Sequence, residues 1–224
     1  IGPESLGASV RRLLAEKAMG AIRDAVKGLC RACLLYPGEQ GVYGLLNFDE
    51  LQKKALRKAL LGVIDDLQSQ SEIFDRIKVT VGLGRQSDSI HDVRLSAEDA
   101  ELAVLDRLVQ GTGRVLERPV ADNRDLVVAQ IISADVRKRL LQGVEILDTA
   151  VLASAIDDLT GTASRYAGMT GKAVLAVFDE CAEIVRFGLR AQSAVDAQVD
   201  AMQSATLEKL GMCHSQREVF QLLR

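Results

Sequence analysis

Tryptophan is absent from this 224-residue chain, and aromatic residues make up only 4% of it. An aromatic-rich ligand cage is therefore disfavoured, and the 48% of apolar residues must build a core from Leu, Val, Ile and Ala. Three prolines argue against long disordered linkers. Excess positive charge is missing too: 28 basic face 31 acidic residues, for a net charge of −3. A free-standing nucleic-acid binder would show a basic face, so direct DNA contact is not expected. The densest basic cluster, Arg137-Lys138-Arg139, reads as a solvated helix face.

The four cysteines, Cys30, Cys33, Cys181 and Cys213, are too irregularly spaced for a disulfide framework. No apolar run reaches the ~18 residues that span a bilayer, and no secretory pattern opens the sequence. The expectation is a cytoplasmic protein without a membrane partner. No repeat at solenoid spacing is present.

What is present is a change of character along the chain. Apolar spacing predicts a first helix from about Leu6 to Tyr36, through Leu13, Leu14, Ile22, Val26, Leu29 and Cys33, ended by Pro37-Gly38. Gly41–Phe48 then reads as a strand, one arm of a hairpin turning at 37–40. Asp49 is placed to cap a helix whose stripe runs Leu51, Ala55, Leu56, Ala59, Leu60, Val63, Ile64 and Leu67. A strand over Ile77–Leu83 enters the turn Gly82-Leu83-Gly84. Ser89 starts a short helical turn, and Ser96 caps a helix to about Gln110, with Gly111 past its end. Arg114–Arg118 is the last predicted strand. Ile77–Leu83 is expected beside Val42–Phe48 in one layer, covered by the helix over Asp49–Gln70.

Beyond Pro119 only helical periodicity remains, over Asp122–Gln142, Asp148–Tyr166, Thr170–Leu189 and Asp196–Arg224, punctuated by Gly143, Gly161, Gly168 and Gly171. Short connections between long helices imply antiparallel neighbours in a bundle. The fold class is thus α+β: a small α/β sandwich over residues 1–118, then an all-α bundle over 119–224.

The stretch Val79-Thr80-Val81-Gly82-Leu83-Gly84 resembles the strand with a Val/Ile-Gly-x-Gly ending found in GGDEF-like domains, the nucleotidyl-cyclase-related sandwich. Ser96-Ala97-Glu98-Asp99-Ala100-Glu101-Leu102-Ala103 is similar to that family's Ser-x-x-Glu-Ala helix. The helical stretch from Leu126 looks like the segment preceding the DNA-binding unit in AraC-type regulators with a degenerate central domain. The resemblance implies a cyclase-like sandwich, a transcription-regulatory role, and DNA contact only through a domain not present in this chain. The family's first strand, with its metal-binding aspartate, has no counterpart ahead of the first helix.

Candidate chemistry is sparse. The family's Gly-Gly-acidic-acidic hairpin turn is represented by Tyr36-Pro37-Gly38-Glu39-Gln40-Gly41, with Glu39 as its one acid. Neither cyclase activity nor a bound metal is expected. Gly82, Gly84 and Arg85 form a candidate ligand- or phosphate-binding turn; a tight turn needing positive φ is the simpler explanation. Cys30-Arg31-Ala32-Cys33 has redox or zinc spacing, but it lies inside the predicted first helix without a second pair. His91 and His214 join no nucleophile arrangement. Asp65-Asp66 and Asp157-Asp158 are adjacent on helices, point about 100° apart and read as solvated faces. No cofactor is expected.

In the C-terminal half the stripes Val144, Ile146, Leu147, Val151, Leu152, Ala155, Ile156, Leu159 and Val174, Leu175, Val177, Phe178, Cys181, Ile184, Val185, Leu189 serve either a bundle core or a homodimer interface. The leading expectation is a non-catalytic regulatory and dimerisation module. A nucleotide-processing enzyme using the Gly82-Leu83-Gly84 turn and an all-helical adaptor are the alternatives.

Overall fold

The computed structural model describes residues 8–38, 41–69, 78–117, 124–191, 205–206 and 209–223. Among the described residues the fold is mixed α/β, about 67% helical with two small sheets, which stands against a wholly helical chain. The chain divides into two compact units: residues 1–81 with 113–115, and residues 82–112 with 116–224. The expected boundary at 118/119 falls outside the described residues.

In the first unit, helix α1 spans Ala8–Ala25, not the predicted stretch to Tyr36. Gly28 adopts φ +82, a conformation that ends a helix cheaply only at glycine. Leu29 and Cys30 both donate their N–H to the Val26 carbonyl, at 2.9 and 3.2 Å. The chain freed by this turn becomes strand β1 (Ala32–Pro37), antiparallel to β2 (Val42–Asn47) in a register from Ala32↔Asn47 to Pro37↔Val42. Leu29 and Cys33 fitted a helical stripe by coincidence of spacing.

A single 3₁₀ turn, Glu50–Gln52, leads into helix α2 (Lys53–Ser69). Asp49 does not cap with its side chain; it pairs with Arg31 at 2.8 Å. Leu51 lies outside the stripe and is 97% exposed, whereas Leu56, Leu60, Val63, Ile64 and Leu67 are buried as expected. The helix packed on the hairpin is α1, which also packs on α2.

Strands β3 (Val81–Leu83) and β4 (Val115–Glu117) form their own two-stranded sheet. The expected single layer, with Ile77–Leu83 beside Val42–Phe48, is therefore corrected: β2 pairs with β1, and β3 with β4. The N-terminal edge of that expected strand, at Ile77, lies outside the described residues. Backbone pairing decides such partners, and it leaves no trace in the periodicity of one strand.

The first helical turn of the second unit starts at Ser89, whose Oγ accepts the His91 N–H at 3.2 Å. Helix α3 (Val93–Leu105) follows, then α4 (Arg107–Gln110) and Gly111 at φ +86. One predicted helix is thus two, starting three residues before Ser96. The helices α5 (Arg124–Ile131), α6 (Ala134–Glu145), α7 (Thr149–Arg165), α8 (Gly171–Ala191) and α9 (Gln216–Gln221) follow among its described residues. Ser133 caps α6 and breaks the predicted Asp122–Gln142 helix; Asp148 caps α7 by accepting from Ala150 and Val151. Gly143 and Gly161 lie inside α6 and α7 rather than between helices. Of the expected segment from Asp196, most falls outside the described residues.

Helix α8 is the centre of this unit. It meets α3, α4, α5, α6 and α9, and buries Val174, Val177, Phe178, Cys181 and Ile184. Its first residue is held by Asp106, a carboxylate only 5% exposed that accepts the Gly171 N–H at 2.7 Å. A Cβ at Gly171 would strike the backbone of Leu105 and Asp106, so glycine permits this approach. Asp106→Ala leaves a buried N–H without its partner and is expected to cost about 1–3 kcal/mol, read as a lower denaturant midpoint at unchanged slope.

Candidate functional site

The turn Gly82-Leu83-Gly84 leaves β3 and runs along α3. Neither glycine has positive φ, so the expected need for a left-handed turn does not hold. The reason for glycine is proximity. A Cβ on Gly82 would meet the Ala100 carbonyl, with Val104 Cγ2 at 2.7 Å, and a Cβ on Gly84 would meet the Ser96 carbonyl, with Ser96 Oγ at 2.7 Å. The backbone of α3 occupies the space beside both glycines.

Arg85, the third residue of the candidate turn, reaches the same helix. Its Nε and Nη2 donate to the two carboxylate oxygens of Asp99, the latter at 3.1 Å. This bidentate bond raises the Arg85 pKa further, first through hydrogen bonding and then through charge. Ser96 Oγ donates to the Arg85 carbonyl at 2.7 Å. Ser96 thus fastens the turn instead of capping the helix. The structure brings Gly82, Gly84 and Arg85 together, all three directed at α3.

The cysteines are all free thiols. Cys30 lies in the turn after α1 and Cys33 on β1, both half-buried, which corrects their placement in a helix. Burial raises both pKa values, with the neighbouring Cys33 adding to Cys30 and Arg23 opposing the shift at Cys33. Cys181 is fully buried in α8, and its thiol is pushed up to about 12, mainly by desolvation. Burial raises Cys213 as well. A nucleophilic thiol needs the opposite shift.

The remaining candidates resolve into structure. Arg137 pairs with Glu180 at 2.5 Å, and Arg139 with Asp135 and Asp158 at 2.9 and 2.8 Å, so the basic cluster faces carboxylates of α6, α7 and α8. Asp65 and Asp66 are exposed on α2, and His91 is exposed in its turn. Asp157 lines a cavity of about 40 Å³ with Ile156, Thr160, Arg217 and Gln221, room for water rather than a nucleotide. Among the described residues no three His, Cys, Asp or Glu side chains come together to hold a metal; Glu39 lies outside them. No described helix is long and apolar enough to cross a membrane.

What the fold leaves uncovered is more distinctive. In the hairpin, cross-strand pairs Leu34↔Leu45 and Tyr36↔Tyr43 share one face. These four side chains are 68, 44, 60 and 38% exposed, and the two tyrosine rings stack at 5.4 Å with 19° between planes. No residue of β1 or β2 is buried. Sequence reading took β1 for helix and so missed this face; the run Cys33-Leu34-Leu35-Tyr36 ahead of Pro37 was the available signal. The helical stripes behave oppositely: Val144, Ile156, Leu159, Val174, Val177 and Phe178 are buried within the chain. Exposed Ile146, Leu147 and Phe187 are left at the C-terminal ends of α6 and α8. No family model, curated protein or solved structure matches this chain.

Proposed function

We propose that this chain is a non-catalytic regulatory and association module, in the setting its GGDEF-like resemblance implies: the central part of a bacterial transcription regulator acting on DNA through a separate domain. The observation that carries the reading is the contrast between its two candidate surfaces. The glycine turn is filled by its own helix, through Ser96, Asp99 and Ala100. The hairpin presents an apolar, aromatic face to solvent. The largest exposed apolar patch on a folded protein is often a functional one. The Gly-x-Gly ending of β3 and the helix α3 after it keep the order of that resemblance, whereas the shared layer of a cyclase-like sandwich does not form among the described residues, where β1 pairs with β2 and β3 with β4.

The discriminating experiment is thermal melting with GTP, ATP or cyclic dinucleotides at millimolar concentration with magnesium. The expected result is an unchanged melting temperature. A ligand bound a hundredfold above its Kd stabilises the folded state by about 2.7 kcal/mol, so metal-dependent nucleotide binding would raise the transition by several degrees and replace this reading with the enzymatic one.

A further inference from the structure

The net charge of −3 is an average over two unlike units. Residues 1–81 with 113–115 carry 13 basic and 10 acidic side chains, whereas the rest of the chain carries 15 and 21. Four of those 13 cations, Lys53, Lys54, Arg57 and Lys58, fall within the first six residues of α2, and no acid occurs from Leu51 to Ile64. Lys54, Arg57 and Lys58 are exposed. At 100° per residue Lys54 and Lys58 lie opposite the buried Leu56, Leu60 and Ile64, with Arg57 at their flank. Arg57 donates to the Val115 carbonyl at 2.9 Å. Lys54 and Lys58 form no ion pair among the described residues.

This placement works against the helix. Cations near a helix N-terminus face its positive end, and Lys54 and Lys58, four residues apart, are like-charge neighbours. Sequences break such local rules chiefly at functional sites. We propose that this face of α2 binds the phosphate backbone of double-stranded DNA without reading its bases. The proposal goes beyond the regulatory reading, which assigns DNA contact to a separate domain, and it revises the expectation drawn from the charge of the whole chain. Three of the four cations are lysines, which are depleted from protein–protein interfaces but serve well as point charges on phosphate. Lying in a bilayer would need an apolar face on the same helix, and that of α2 is buried. Backbone contact of this kind is weak and sensitive to salt, with a Kd on the order of 10⁻⁴ M at physiological ionic strength.

Fluorescence anisotropy of a labelled duplex of about 30 base pairs, titrated with the chain to about 300 μM in about 20 to 150 mM NaCl, tests it. Binding is expected, with log K falling against log salt at a slope of about −3, for roughly three to four phosphates. Replacing Lys54→Gln and Lys58→Gln together should flatten that slope by about 2 and weaken binding about tenfold at low salt. Its melting temperature should not fall, because a like-charge pair is removed. Lys138→Gln with Lys209→Gln takes two exposed lysines from the second unit and should leave slope and affinity as they are. A duplex that stays unbound at the lowest salt overturns the proposal, and so does an equal loss in both double variants. Co-sedimentation with phosphatidylserine vesicles without duplex binding overturns it in favour of a membrane surface.

Discussion

Gly84→Ala is expected to lower the stability of the helical unit by about 3 kcal/mol, the upper part of the range for overpacking. The added methyl would enter the Ser96 carbonyl and its Oγ. Neither atom belongs to the end of a flexible chain, so relief requires the turn to lift off α3. Lifting it also breaks the Ser96–Arg85 hydrogen bond and the Arg85–Asp99 pair. Arg85→Ala alone should cost much less than the glycine variant, because its side chain is 43% exposed and such ion pairs are weak. Urea titration of the two variants separates the contributions, with the glycine variant showing much the larger fall in midpoint. Equal and small effects would remove the packing account of the Gly-x-Gly turn and return it to ligand binding.

Phe220→Ala is expected to cost about 3–5 kcal/mol, as complete truncation of a buried Phe does elsewhere. Phe220 is 0% exposed and belongs to the core cluster with Val219, Ile156, Val174 and Val177. Its helix, α9, has six residues, too few to hold its own structure in water. Docking on α7 and α8 therefore depends on Val219 and Phe220, helped by a cap at each level. Ser215 accepts the Glu218 N–H at 3.3 Å, Glu218 accepts the His214 N–H at 2.8 Å, and Gln216 donates to Ser164 at 3.0 Å. With the ring gone those bonds face water, and α9 should become a protease target while α7 and α8 remain folded. Limited proteolysis with mass detection reads this directly. Resistance equal to wild type would show that the docking energy lies in the polar caps instead.

Much of the fold was legible because it depends on neighbours in sequence. The α2 stripe from Leu56 to Leu67, the Ser89 turn, Asp148 ahead of α7 and Gly111 after α4 are settled by side-chain periodicity and by oxygens that accept free N–H groups. The C-terminal stripes were recognised as apolar faces, and burial at Val174, Val177 and Cys181 assigns them to the chain's own core. Less legible was the end of α1, where one glycine at positive φ outweighed the helical spacing of Leu29 and Cys33 beyond it.

The candidate site divides in the same way. The strand and the helix flanking Gly82 and Gly84 were readable from the sequence, and so was the closeness of Arg85. That the glycines serve contact with α3, and not a left-handed turn, appeared only when the Ser96 and Ala100 carbonyls were found against them. Asp106 lay hidden inside a predicted helix, because nothing local distinguishes a buried capping carboxylate from a solvated one until Gly171 arrives from 65 residues away.

By itself, then, the order of residues determined which segments coil, where oxygens cap them, and that an aliphatic core with balanced charge would form. Those properties arise within a few residues of one another. Tertiary structure alone decided that the strands split into two sheets, that a glycine pair accommodates a helix, and that Leu34, Tyr36, Tyr43 and Leu45 face outward. Each of these depends on which distant backbone groups find one another, and hydrogen-bond partners between remote strands are not encoded in the period of either strand.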